Sequence, residues 1–213
     1  MKKIVVLDYG TSNLRSVAKA LEHVAEANIS ITVSSKANEI LAADRVVFPG
    51  QGAIGQSMQS LQDQHLDEVI RDSIKNKPFL GICLGLQCLL DESEEDGGTK
   101  GLGIISGEVK RFVSGKKDEA GNEFKIPQMG WNKVYQSQEH AIWKGIQDRE
   151  RFYFVHSYYV MPNNPQDIIG TTDYILTYTS VAAKDNVVAT QFHPEKSQKA
   201  GLQLLSNFLQ WNI

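Results

Sequence analysis

The sequence predicts an α/β fold: an open, mostly parallel central sheet with helices on both faces, and an antiparallel strand region in the C-terminal half. In the first ninety residues, short apolar runs typical of buried strands alternate with longer segments whose apolar residues keep helical spacing. Beyond Gly101 the strand-like runs follow one another closely, which is typical of antiparallel pairs. We expect residues 1–213 to form a single domain, since one chain of this length can bury one large core.

Strands and helices alternate through the first half. We predict strands in KIVVL, ISITVS, RVVFPG and PFLGI. The apolar residues of two intervening segments fall on one helical face: Leu14, Val17, Ala18, Leu21, Val24 and Ala25 in the first, and Met58, Leu61, Leu66, Val69, Ile70 and Ile74 in the second. Asn13 precedes the first helix as a plausible N-cap. This alternation predicts a parallel sheet.

The second half is rich in strands. The predicted strands lie in GIISGEVKRF, IPQMGWNKVY, RFYFVHSYYV, TSVAAK and NVVATQF. A final helix is expected to start near Ser197, with its apolar face formed by Leu202, Leu204, Leu205, Phe208 and Leu209. The polar stretch SGKKDEAGNEFK, residues 114–125, predicts a surface loop or hairpin rather than a linker between domains.

Composition narrows the class of protein. A net charge of −3 and a pI near 6.0 give no basic surface for nucleic acid or an anionic membrane. Only four apolar residues, Ile4 to Leu7, precede Asp8, which is too short a run for a signal sequence, and no window reaches a membrane-spanning length. Two cysteines five positions apart do not form a secreted disulfide framework. We therefore expect a reduced, cytoplasmic enzyme or binding domain.

Cys83 lies between Gly81 and Gly85 in the stretch PFLGICLGLQCLL. A strand that ends just before it and a helix that starts near Leu84 place it at a strand-to-helix elbow, the sulfur counterpart of a serine nucleophile elbow. The N–H groups and dipole at the start of a helix favour a thiolate and can stabilise an oxyanion. A buried structural thiol explains Cys83 about as well on this pattern alone, and it explains Cys88 better.

A nucleophile needs a base, and the stretch TQFHPEKS offers one. His193 and Glu195 are two residues apart, so in an extended chain their side chains point to the same side. Pro194 fixes its own φ and favours extended geometry at His193. A carboxylate beside an imidazole selects the tautomer and stabilises the imidazolium. The combination of elbow cysteine and histidine–carboxylate pair is more specific than either part.

The G-I-C-L-G elbow with a distant F-H-P-E resembles the class I, triad-type glutamine amidotransferases. That resemblance implies an α/β open-sheet fold and hydrolysis of L-glutamine to glutamate and ammonia, with no cofactor and no metal ion. In this family Cys83 would attack the side-chain amide and form a glutamyl thioester. His193 would take the thiol proton and deliver one to the leaving ammonia, and Glu195 would orient His193.

The same resemblance implies further site residues. The turn in FPGQGA resembles the family's oxyanion segment, so Gly52 and the first residue of the elbow helix, Leu84, would form the oxyanion hole. An ordinary strand-end turn would explain that stretch without any function. The substrate would contact five residues: Gly50, Gln87, Glu95, Ser157 and Tyr158.

The stretches P-Q-M-G-W-N and F-V-H-S-Y-Y-V resemble one branch of the family, the glutaminase subunits that serve histidine biosynthesis. Their partner is a (β/α)8-barrel cyclase subunit, so the resemblance implies a heterodimer. Asn13, Arg15 and Trp131 would lie at the interface. Trp131 as an exposed anchor and Trp131 as a partly buried core residue fit the sequence equally well.

Three residues depart from the family pattern. Glycine is usual at the position of Ser12, histidine at that of Gln128, and a small aliphatic residue at that of Gln51. The family's peptide at the last position is thought to reorient when the oxyanion hole forms. We therefore expect Gln51 to influence the resting glutaminase activity.

Three other functions fit part of the sequence. Closely related subunits supply ammonia for surface-polysaccharide sugar modification, and they share the triad. A cysteine-dependent α/β hydrolase of esters would have its acid before the histidine, whereas Glu195 follows His193. A non-catalytic scaffold would be expected to lose part of the triad, and all three residues are present.

Overall fold

The computed structural model describes residues 1–213, with fourteen strands and six α-helices. The strands are β1 Lys2–Leu7, β2 Ile29–Ser34, β3 Arg45–Gly50, β4 Phe79–Cys83, β5 Glu92–Ser93, β6 Thr99–Lys100, β7 Gly107–Arg111, β8 Gln128–Lys133, β9 Tyr135–Gln136, β10 Arg151–His156, β11 Tyr158–Pro162, β12 Ile168–Asp173, β13 Thr177–Lys184 and β14 Val187–Thr190. The α-helices are α1 Leu14–Val24, α2 Ala37–Leu41, α3 Ile54–Asp63, α4 Leu66–Ile74, α5 Leu84–Cys88 and α6 Gln198–Gln210.

Twelve strands form one sheet in the order β2-β1-β3-β4-β14-β13-β11-β7-β5-β6, with β12 on β13 and β9 on β12. The five strands from β2 to β14 pair in parallel, and β13 onward pairs mainly antiparallel. The remaining two strands, β8 and β10, form a small antiparallel sheet of their own. The predicted fold class is confirmed.

Helices cover both faces of the sheet. Alternation along β1 sends Ile4 and Val6 into one apolar core and Val5 and Leu7 into the other, as expected for a strand buried on both faces. Helices α1 and α6 pack over the first core, and α2, α3, α4 and α5 over the second. The carboxyl ends of β3 and β4 lie side by side, because Gly50 pairs with Cys83.

Two predicted elements are each divided in the structure. The helix expected from Met58 to Ile74 is two helices, because His65 adopts the left-handed conformation (φ 54°) and ends the first helical path. The aromatic run RFYFVHSYYV is two strands that separate at Ser157. Its first part pairs with β8 and its second with β7, so Ser157 lies where the chain changes sheets.

Four elements were not predicted, namely α2, β5, β6 and β12, whereas the final helix and the 114–125 loop agree with the prediction. The final helix begins directly after Ser197, and residues 114–125 are largely exposed, with a single bridge between Lys117 and Glu123. None of the six α-helices combines the length and the apolar character that a membrane crossing requires.

Candidate active site

Cys83 lies at a sharp elbow between β4 and α5. Its backbone has φ 55° and ψ −108°, a conformation that costs a non-glycine residue on the order of 1–3 kcal/mol. Gly85 makes the turn possible, since a Cβ there would collide with the carbonyl oxygen of Phe48. The thiol is 6% exposed and lies at the start of a helix, where unpaired N–H groups favour negative charge.

His193 and Glu195 form a buried pair. His193 Nδ1 lies 2.9 Å from Glu195 Oε1, and both side chains are almost fully shielded from solvent. His193 is extended as predicted, but Pro194–Lys196 is a single 3-10 turn, so the turn and not an extended chain brings the two side chains together. The hydroxyl of Ser197 fixes this segment by donating to the His193 carbonyl over 2.6 Å and accepting from the Tyr153 N–H over 3.0 Å.

The charge state of His193 depends on its neighbours. Burial alone lowers its pKa, but attraction to Cys83 and Glu195 outweighs burial and raises the pKa to about 10. At neutral pH the ring is therefore an imidazolium. Glu195 holds Nδ1. Nε2 is therefore the ring nitrogen that is left to give up or take a proton on the Cys83 side.

Asn13 stands at the N-cap position of α1, but its side chain makes no cap hydrogen bond. Nδ2 instead donates to Glu195 Oε1 over 2.6 Å. The oxygen that holds His193 thus also accepts from Asn13. Asn13 thus occupies the predicted N-cap position, but its side chain binds the carboxylate of Glu195 through its amide N–H instead of accepting from the helix.

A cavity of about 650 Å³ opens beside Cys83. Cys83 and His193 line it, and so do six of the seven residues predicted for the oxyanion hole and the substrate: Gly52, Leu84, Gln87, Glu95, Ser157 and Tyr158. Gly50, Glu195, Asn13, Arg15 and Trp131 are not part of its wall. The structure therefore brings the chemistry-bearing residues of distant segments to one cavity.

The predicted oxyanion segment follows β3. A Cβ at Gly50 would collide with the hydroxyl of Tyr9, so only glycine fits there. Gly52 has φ 97°, a conformation that favours glycine, and it lines the cavity. Leu84, the first residue of α5, is 3% exposed.

Gln87 and Glu95 are already hydrogen-bonded within the chain. Gln87 Nε2 donates to Gln191 Oε1 over 3.2 Å and makes a longer contact of 3.4 Å with the Tyr158 carbonyl. Glu95 Oε2 accepts from the N–H of Ile54 over 3.0 Å, at the first residue of α3. Both side chains still reach the cavity wall.

Ser157 and Tyr158 enter the cavity from the β10–β11 junction. His156 lines it too and is buried. Burial lowers the pKa of His156 to about 4, so its ring is neutral, and its Nδ1 lies 2.7 Å from the Tyr158 carbonyl. The Tyr178 hydroxyl lies between His156 Nε2 at 3.2 Å and Gln128 Oε1 at 2.9 Å.

The residues predicted at a partner interface differ in their exposure. Asn13 is half-buried against Glu195, and Arg15 is exposed on α1. Trp131 is 37% exposed and stands edge-on to Tyr153, with ring centroids 6.0 Å apart. It lines a separate hollow with Arg151 and residues 197–200. The indole is therefore a surface aromatic.

The three side chains that depart from the family pattern all take part in hydrogen bonds within the chain. Gln51 Nε2 donates to the hydroxyl of Ser12, so two of the three unusual side chains contact each other at the cavity wall. The third, Gln128, is 3% exposed and meets Tyr178.

Sequence reasoning missed several residues beside Cys83. Gln191 is fully buried, and its Nε2 lies 3.6 Å from Cys83 Sγ. It is two positions before His193, and this period-two spacing is the signal that could have indicated it. Tyr9 and Thr11 also line the cavity and keep buried hydroxyl groups without partners, but nothing in their local sequence distinguishes them.

An open α/β sheet with an elbow cysteine, a buried histidine–glutamate pair and a shared cavity defines a triad-type α/β protein. The family model for Glutamine amidotransferase class-I matches residues 5–211, and the chain belongs to this family. The chain is 53% identical to the imidazole glycerol phosphate synthase subunit HisH of Methylococcus capsulatus over 212 residues, which cover 99% of this chain and 97% of that protein. It is 54% identical to the subunit of the same name from Nitrosomonas europaea, with 99% of each chain covered. Relatives named as subunits imply a partner subunit.

Solved structures support the fold. The chain resembles PurLQS from Thermotoga maritima with a TM-score of 0.70 and 13% identity, covering 98% of each chain. It also resembles a glutamine amidotransferase from Thermotoga maritima with a TM-score of 0.60 and 16% identity, covering 93% of this chain and 78% of that one. At these identities the likeness concerns the fold alone.

Proposed function

We propose that this chain is the glutaminase subunit of an imidazole glycerol phosphate synthase, a single amidotransferase domain over residues 1–213. It hydrolyses L-glutamine to glutamate and ammonia. The observation that carries the proposal is the 2.9 Å contact of His193 with Glu195 on a cavity that Cys83 shares. The named relatives carry the synthase's name, which does not favour a polysaccharide-cluster function.

The first half of the reaction forms a thioester. With the proton of the Cys83–His193 pair on His193, the sulfur of Cys83 attacks the side-chain amide carbon of glutamine. The carbonyl oxygen gains negative charge, and the backbone N–H groups of Leu84 and Gly52 stabilise this charge by hydrogen bonds. His193 Nε2 gives its proton to the amide nitrogen, the C–N bond breaks, and ammonia leaves.

The second half releases glutamate. The now neutral His193 takes a proton from water, and the hydroxide attacks the thioester carbon. The C–S bond breaks, the thiolate of Cys83 returns, and His193 is again an imidazolium. Glu195 holds Nδ1 throughout, so the ring keeps one orientation while Nε2 gains and loses the proton.

The substrate ends need fixed partners. Glu95 carries the negative charge suited to the α-ammonium group, and Gln87, Ser157 and Tyr158 supply donors and acceptors for the remaining polar atoms. Gly50, which does not line the cavity, is the remaining proposed substrate residue. Glu95 is pre-oriented by the Ile54 N–H, which reduces the ordering that binding requires.

A partner explains why such a glutaminase is useful. Ammonia released into water is protonated near neutral pH, and ammonium is a poor nucleophile. The proposed partner is the (β/α)8-barrel cyclase subunit, which uses the ammonia to convert PRFAR to imidazole glycerol phosphate and AICAR. Asn13, Arg15 and Trp131 are the proposed contacts, of which Trp131 is the exposed aromatic anchor. This biosynthetic role places the heterodimer in the cytoplasm.

The experiment is glutamate release from glutamine by the purified chain, alone and with the cyclase subunit plus PRFAR, beside Cys83→Ala. We expect weak release by the chain alone, a large rise with the liganded partner, and no release by the variant. Strong release by the chain alone would remove the partner-dependent step and draw attention to Gln51. Absence of release under every condition would overturn the glutaminase proposal.

The partner surface has its own test. Trp131→Ala should raise the Kd for the cyclase subunit at least about tenfold, since a truncated hot-spot anchor typically loses about 2 kcal/mol of binding or more. Leu41→Ala is the matched control, because Leu41 is an exposed apolar residue on α2, at the other face of the sheet. An unchanged Kd for Trp131→Ala, measured by titration calorimetry, would place the interface elsewhere.

A further inference from the structure

Two buried amides lie behind the sulfur of Cys83. Gln191 is fully buried, and Nε2 of its side chain donates to Cys83 Sγ over 3.6 Å. Its Oε1 accepts from Gln87 Nε2 over 3.2 Å. Because Gln87 presents a donor to that oxygen, the amide of Gln191 is oriented with its N–H groups toward the sulfur.

We propose that Gln191 is a further residue of the nucleophile site, whose amide N–H stabilises the Cys83 thiolate, and that Gln87 positions it. The inference rests on the proposed glutaminase function. Gln191 touches the reacting atom, and Gln87 acts on it through the Gln191 carbonyl oxygen.

The surroundings of the sulfur explain why such a donor is needed. Cys83 is 6% exposed, and a buried thiolate loses the water that would solvate it. A neutral amide dipole replaces part of that solvation without adding a charge that would compete with Glu195 for His193.

Local geometry brings the donor to the right side. Gln191 and His193 alternate with Phe192, which points the other way and stacks on Phe152 with ring centroids 4.1 Å apart. The backbone of Gln191 is fixed as well, because its N–H donates to the Ser180 carbonyl over 2.8 Å. The same short segment therefore supplies both the imidazole and an amide donor to Cys83.

The test is the pH dependence of alkylation by iodoacetamide in the full chain with Cys88→Ala, where Cys83 is the single thiol. Gln191→Met keeps the length of the side chain but cannot donate. We expect its alkylation profile to be displaced to higher pH and its alkylation at neutral pH to be several-fold slower than the parent's, because the sulfur loses a hydrogen bond and the more basic thiolate regains part of the rate. The titratable neighbours of Cys83 are His193, Tyr9, Tyr178 and Cys88; the first three are unchanged in this variant, and Cys88 is replaced in both variant and parent.

Thr190→Val is the matched control, since Thr190 is equally buried and its hydroxyl donates to the Phe192 carbonyl, not to the sulfur. Its alkylation profile should match that of the parent. If Gln191→Met does not fold by circular dichroism, Gln191→Glu keeps the shape and replaces the donor by an acceptor, so the alkylation profile should be displaced further to higher pH. A folded variant of either kind with the parent's profile would overturn the inference. Alkylation does not require glutamine turnover, so loss of the proposed function and loss of this inference are separate outcomes.

Discussion

Asn13 Nδ2 donates to Glu195 Oε1 over 2.6 Å, across 182 positions of sequence. The same oxygen lies 2.9 Å from His193 Nδ1. One carboxylate oxygen therefore joins the start of α1 to the histidine of the proposed triad. Glu195 Oε2 is buried without a partner, which leaves Asn13 and His193 as the groups that fix this carboxylate.

Removing this amide should slow hydrolysis. We expect Asn13→Ala to lower kcat about tenfold with little change in KM for glutamine, because a hydrogen bond to a charged group contributes about 1.5–3 kcal/mol and the partial exposure of Asn13 reduces this. Steady-state glutamate release measures the effect. Lys19→Ala, exposed on the same helix, is the control. A kcat within twofold of the parent for Asn13→Ala would show that Glu195 needs no such support.

The stability of the fold should depend on the charge of His193. Its pKa in the folded chain is raised from 6.5 to about 10. A raised pKa gives stability that is fully present below pH 6.5 and is lost as pH rises through about 10. We therefore expect the difference in unfolding free energy between the parent and His193→Asn to shrink over this window. Urea titrations at several pH values measure the difference. A difference that is constant, or that grows with pH, would contradict the imidazolium assignment.

The strained backbone conformation of Cys83 should lower the free energy of unfolding of the chain. Its φ of 55° strains any side chain with a Cβ, and glycine removes the strain. The free energy of unfolding of Cys83→Gly should therefore exceed that of Cys83→Ala by about 1 kcal/mol. Cys83→Gly should accordingly unfold at a higher urea concentration. Both variants should lack glutaminase activity. In ordinary backbone the order would be reversed, so a less stable glycine variant would mean that the elbow is relaxed.

Gly201 on α6 lies outside the cavity, but it should be needed for the correct position of the turn that carries Glu195. A Cβ there would collide with the Pro194 carbonyl oxygen and lie 2.8 Å from Ser197 Cβ, so it would displace the turn that carries Glu195. We expect Gly201→Ala to destabilise the chain by about 1–3 kcal/mol and to lower glutamate release. Gly55→Ala is the control in a helix with room for a methyl group, where the nearest atom, Asp96 Oδ2, is 3.4 Å away. A melting temperature of Gly201→Ala equal to the parent's would show that the turn does not depend on this contact.

Local patterns account for the parts of the site that could be predicted. The glycines around Cys83 and the apolar strand before it lie within a few residues, and His193 and Glu195 are separated only by Pro194. These signals are short in sequence, so the elbow and the pair could be read from it. The contacts of Asn13 with Glu195, of Gln51 with Ser12 and of Gly201 with Pro194 depend on how whole elements pack, and their positions carry no periodic signal.

The two divided elements have a similar cause. His65 enters the left-handed region without a glycine or proline to indicate a break, and apolar spacing continues into α4. Ser157 separates two strands that both have strong strand character, and only the pairing partners β8 and β7 show that they belong to different sheets. Pairing over such distances in sequence is decided by tertiary packing.

Covalent labelling with the diazo ketone analogue of glutamine tests the proposed triad most directly. The diazo carbon takes up a proton, the sulfur attacks that carbon, dinitrogen leaves, and a stable thioether marks the nucleophile. With the cyclase subunit and PRFAR present, peptide mapping should find one adduct per chain, on Cys83, and none in Cys83→Ala although Cys88 remains. An adduct on Cys88, or labelling that persists in Cys83→Ala, would contradict the account.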